Sequence, residues 1–123
     1  MPATLHHESD NIYRLDVNGV LSKDDLDRVQ ELLLSEMDRT GNRTARLLVV
    51  LEGFEGWDSR SSNWSDLTFF VKHGDRLERI AIVGSDRWRD HALMFAAADL
   101  RRAPVEFFAN GALTDARAWL SGA

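Results

Sequence analysis

Three carboxylates, Glu52, Glu55 and Asp58, stand within seven residues of one another, immediately followed by hydroxyls at Ser59, Ser61 and Ser62. Carboxylates held close can share a proton and separate in pKa, which is how paired acids act as proton donor and acceptor. The plain alternative is a solvated loop. Ser59 and Ser61 precede a predicted helix, where phosphate would meet exposed amides and the positive end of a helix dipole. They are equally good caps.

A serine nucleophile needs a sharp strand-to-helix turn, typically GxSxG, with a histidine and an acid in reach. Gly84-Ser85-Asp86 comes nearest, lacks the flanking glycine, and reads instead as the cap of a helix. Of the four histidines, His6 and His7 fall in a polar N-terminal segment, and His73 and His91 fall singly on predicted helices. No HxH or HExxH spacing occurs, so no metal site is expected. Neither the phosphate-loop lysine nor a GxGxxG fingerprint is present. Neither catalysis nor a cofactor is expected. Phe54, Trp57, Trp64, Phe69 and Phe70 crowd seventeen residues, a density that either closes a core or lines an apolar cleft.

Fifteen basic against twenty acidic residues leave a net charge of −5, a poor balance for a protein that neutralises a phosphate backbone. No nucleic-acid partner is expected. The absence of cysteine removes disulfides and thiolate chemistry. No signal peptide or membrane-length apolar run is visible, and the expected location is cytoplasmic.

The elements that must position these residues follow from periodicity. Asn11 to Leu21 is close to the alternation of a half-buried strand, with a turn or bulge at Asn18-Gly19. Ser22 should cap a helix with Leu26, Val29, Leu33 and Met37 on one stripe, ended by Gly41. Arg46 to Leu51 is apolar without alternation, the mark of a strand covered on both faces. Glu52 to Asn63 reads as a loop, and helices are predicted from about Trp64 to His73 and from Trp88 to Leu100. Further strands are predicted at Ile80 to Val83 and Val105 to Phe108, with a last helix through Leu113, Ala116, Trp119 and Leu120. The 123 residues thus form a single α/β domain of four strand-helix units joined by right-handed crossovers, with residues 1–9 a flexible tail. A mostly parallel four-stranded sheet flanked by helices is expected, its first strand towards an edge.

The order NGVLSKDDLDRVQELL, RLLVVLEGFEGW, RIAIVGSDRW and VEFFANGALTDARAWL resembles the SpoIIAA-like family, small bacterial proteins related to the STAS domains of anti-sigma-factor antagonists. The resemblance spans residues 11 to 120. It implies a four-unit βα superhelix acting as a non-catalytic regulatory module that binds protein partners, and for some relatives a lipid or small-ligand pocket. In antagonists an Asp-Ser pair followed by a Gly-Leu-Gly step carries the phosphorylated serine. Here Asp58-Ser59 is present and the Gly-Leu-Gly step is missing, so the phosphoserine switch is not expected to operate in its usual form. The expected contact surface is Phe54, Glu55, Trp57, Asp58 and Trp64. The alternative is a carrier of a small apolar ligand or lipid, with a pocket near Trp57, Trp64 and Trp88. An exposed sheet edge and exposed tryptophans would favour a homodimer.

Overall fold

The computed structural model describes residues 3–58, 74–95 and 103–122. Local signals set its longest helix. The Ser22 hydroxyl accepts from the Asp25 amide at 3.1 Å while the Asp25 carboxylate accepts from the Ser22 amide at 3.2 Å, a reciprocal cap at the start of α1, Lys23–Thr40. At the other end Gly41, at φ 74°, takes up the left-handed conformation that closes the last turn. Val29, Leu33 and Met37 face inward from it.

The main sheet has five strands, one more than predicted. Strands β1 (Ala3–Ser9), β2 (Ile12–Val17), β4 (Ala45–Val50), β6 (Leu77–Gly84) and β7 (Val105–Ala109) lie side by side in that order. Only the β1–β2 pair is antiparallel. The segment expected as a flexible tail is therefore an edge strand, and β2, expected near an edge, is covered on both sides. The cause is a tight turn through Asp10, at φ 46°, and contacts within the hairpin: the His7 ring lies 5.1 Å from its cross-strand partner Tyr13, and His7 Nε2 bonds the Asp10 carbonyl at 2.6 Å. Few of these contacts show in the polar sequence of β1.

The run expected as one strand from Asn11 to Leu21 is two. After Val17 the chain leaves the main sheet, and β3 (Gly19–Leu21) pairs in parallel with β5 (Phe54–Trp57). The stretch from Glu52, read as loop, thus contains a four-residue strand. The helix expected from Trp64 to His73 lies outside the described residues.

Helices cover both faces of the sheet. On one, Tyr13, Leu15, Ile80, Ile82 and Phe107 pack with α1 and with Ala92 of α2 (Arg89–Phe95). On the other, Leu48, Val50, Ala81 and Val83 pack against Ala116 and Leu120 of α3 (Leu113–Ser121), and Ala81 and Ala116 are small enough for close approach. This two-sided burial is why β4 and β6 do not alternate. Two arginines fasten the end of α3: Arg46 donates to the Leu120 carbonyl at 2.6 Å and Arg79 to that of Trp119 at 2.5 Å. Among the described residues no helix is long and apolar enough to cross a membrane.

Candidate functional site

The predicted surface residues do not all face outward. In β5, Phe54 is buried and Trp57 half-buried, while Glu55 and the preceding Glu52 are exposed. Side chains of a regular strand alternate, so residues three apart should face opposite ways. Phe54 and Trp57 nevertheless both line one cavity, because Gly56 intervenes at φ 119°, a conformation side chains rarely adopt.

The aromatic rings pack on each other edge to face. Phe54 meets Trp57 at 4.9 Å and Trp88 at 5.1 Å between ring centroids, and Trp57 meets Trp88 at 5.9 Å. His91, exposed at the rim, is 6.1 Å from Trp57. The Arg87 guanidinium covers the outer side of Trp88 at 4.5 Å. Sequence proximity thus brought Phe54 and Trp57 together, and Trp88 joins them from the turn after β6. Trp64, Ser59 and Ser61 lie outside the described residues. Asp58 is half-buried, its amide donating to the Leu21 carbonyl at 2.8 Å.

Glu52 and Glu55 are exposed, Glu55 on strand β5 rather than in the loop expected there. Ser85 begins a 3-10 turn, Asp86–Trp88, as a cap by position, yet its hydroxyl makes no capping hydrogen bond. The tryptophans expected to be exposed are half-buried where described, at Trp57, Trp88 and Trp119; among the described residues the large apolar side chains that are exposed are Val20, Leu32 and Met94.

Beneath the aromatic cluster lies a cavity of about 160 Å³ between α1 and the sheet. Its described walls are Leu5 of β1, Leu15 and Val17 of β2, Leu21 of β3, Leu47 and Val49 of β4 with Leu51 beyond it, and Leu77, Ile80 and Ile82 of β6. Phe54 and Trp57 close one side, Ala92 another, and Leu26, Val29, Gln30 and Leu33 of α1 form the roof. Leu47 and Val49, on a strand at the centre of the sheet, are only half-buried, whereas Leu48 and Val50 on the opposite face are buried. Among the described residues the α1 side of the sheet is therefore incompletely filled. No titratable group occurs among the described lining, and these apolar walls can hold an apolar molecule.

The α1 stripe and the β4 run are both legible in the sequence as buried faces. What the sequence did not signal is that they stand apart around a space.

A family model described as SpoIIAA-like matches residues 12–121. The chain belongs to that family. Its fold is similar to that of an uncharacterised protein of the DUF3478 family, with a SpoIIAA-like fold, from Shewanella loihica PV-4: 24% identity, TM-score 0.68, covering 96% of this chain and 91% of that one. No curated protein matches.

Proposed function

We propose that this SpoIIAA-like protein is a non-catalytic binding module that holds a small apolar ligand between α1 and the sheet, with Trp57 and Phe54 as one wall. The observation that carries this reading is the cavity of about 160 Å³ lined by leucine, valine, isoleucine and aromatic side chains. Unfilled apolar volume costs a folded protein stability, which a ligand restores. Burying six methylene-sized groups contributes about 5 kcal/mol, enough for dissociation constants on the order of 0.1–1 mM.

Native mass spectrometry and organic extraction of the freshly purified protein test it, together with titration of toluene followed by tryptophan fluorescence. A co-purifying apolar molecule, or saturable toluene binding abolished in Val29→Trp, is the expected result. A clean apo mass with no toluene response refutes it.

A regulatory protein-interaction module is the second reading, and the solvent-facing tip of the β3–β5 pair favours it. Val20 is 48% exposed there beside exposed Glu52, Gly53 and Glu55. Capture of a specific partner lost in Val20→Glu, with toluene binding unchanged, would support this over the first.

A further inference from the structure

The cavity has a single polar residue among its described lining. Gln30, half-buried on α1, stands among leucine, valine, isoleucine, alanine and aromatic side chains, and its carboxamide makes no hydrogen bond among the described residues. The carboxamide is half-buried rather than sealed from water, so a hydrogen-bonding group on a ligand can replace water there.

Charge bounds the ligand further. No lysine, arginine or histidine occurs among the described lining residues. Lys23, buried at the start of α1, is not part of it and is ion-paired with Asp27. An anionic head buried here would lack a counter-ion among the described residues, and uncompensated burial of charge is far dearer than burial of a neutral polar group. Volume sets the scale of the apolar body, because apolar cavities of about 150 Å³ accept a molecule of benzene's dimensions.

We infer that the ligand is a neutral, ring-sized or short-chain molecule bearing one hydroxyl or similar hydrogen-bonding group, and that Gln30 is the residue that selects it. The inference rests on the reading of the cavity as a ligand site. The Gln30 carboxamide both donates and accepts, so it can pair with a hydroxyl in either sense. The surrounding leucines and Trp57 take the apolar body.

Phenol, toluene and benzoate are nearly isosteric and differ in the head group alone. Their affinities are read from the indole N–H signals in two-dimensional NMR titrations of the wild type, Gln30→Leu and Gln30→Met. In the wild type benzoate should bind at least tenfold more weakly than phenol. In both variants the preference for phenol relative to toluene should fall by about three- to tenfold, the value of one hydrogen bond. An unchanged phenol-to-toluene ratio in the two variants, or benzoate binding as well as phenol, overturns the role of Gln30 while toluene binding leaves the cavity reading intact. Failure of all three ligands to bind overturns the cavity reading itself.

Discussion

Replacing Gly56 by alanine tests how the aromatic wall is built. Two costs add at this position. At φ 119° an alanine enters a region almost reserved for glycine, at about 1–3 kcal/mol. Its Cβ would also stand 3.2 Å from Cη2 and 3.5 Å from Cζ3 of Trp88, the rigid far edge of an indole packed against Phe54 and Trp57. Moving that ring by a few tenths of an ångström disturbs the whole cluster and costs about another 1 kcal/mol. Gly41→Ala is the matched control: it is also left-handed, at φ 74°, with nothing within 4 Å of the added methyl, and should cost about 1 kcal/mol. Urea denaturation followed by circular dichroism should place Gly56→Ala about 2 kcal/mol below Gly41→Ala. Its Tm should drop by roughly 10 °C relative to wild type, at about 4 °C per kcal/mol for a domain of this length. Trp88→Phe, which shortens the ring edge that the methyl meets, should recover about 1 kcal/mol in the double variant. Equal losses for the two glycine variants, or strictly additive effects of Gly56→Ala and Trp88→Phe, would refute the account of Gly56 as the hinge that lets Trp57 and Trp88 meet.

Two further perturbations probe the parts that hold the site in place. Tyr13 is fully buried and its hydroxyl links Asn42 Nδ2 at 2.8 Å to Thr40 Oγ1 at 2.6 Å, while Thr40 in turn donates to the Glu36 carbonyl at 2.7 Å. Tyr13→Phe should therefore cost about 1–3 kcal/mol by urea denaturation, with hydrogen exchange accelerating first at the C-terminal end of α1. Glu78 is held below the ordinary glutamate range by hydrogen bonds from Arg46 and then Asn11, against a smaller opposing effect of desolvation. A depressed carboxyl pKa means that the unfolded chain binds more protons, so the stabilisation is complete above the ordinary glutamate range and is lost as pH falls through the folded-state value. Glu78→Gln should flatten that acid limb of the stability profile, and an unaltered acid limb would show that the pair contributes nothing there.

The elements legible in the sequence are those whose causes are local. Ser22 and Asp25 cap each other three residues apart, and Gly41 stops the same helix by its own backbone freedom, so α1 could be bounded from neighbours alone. The apolar runs of β4 and β6 announce burial on both faces, which required only that helices flank the sheet. Strand β1 pairs with β2 across a local turn, yet its polar sequence does not foretell that His7 will lie on Tyr13. Strand β5 has a distant cause, because Gly19 lies opposite Phe54, thirty-five residues on. Pairing at such separation is invisible to periodicity.

The same distinction governs the site. Phe54 and Trp57 could be chosen from their crowding, yet the sense in which they act could not, since alternation would have sent one of them to solvent. The backbone of Gly56 turns both inward, and the departure of the chain at Asn18-Gly19 carries Leu21 to the same wall. Gln30 was unremarkable as a polar residue beside an apolar helical stripe. It becomes distinctive only because it lines the same cavity as Leu47 and Val49, which are no more than half-buried. A protein that simply needed a closed core would gain stability from larger side chains at these positions, and substitutions that fill such space commonly add about 0.5–2 kcal/mol. If Val49→Leu or Val49→Ile stabilises the fold while weakening toluene binding, the open volume is held at the expense of stability, which is the signature of a site rather than of a packing flaw.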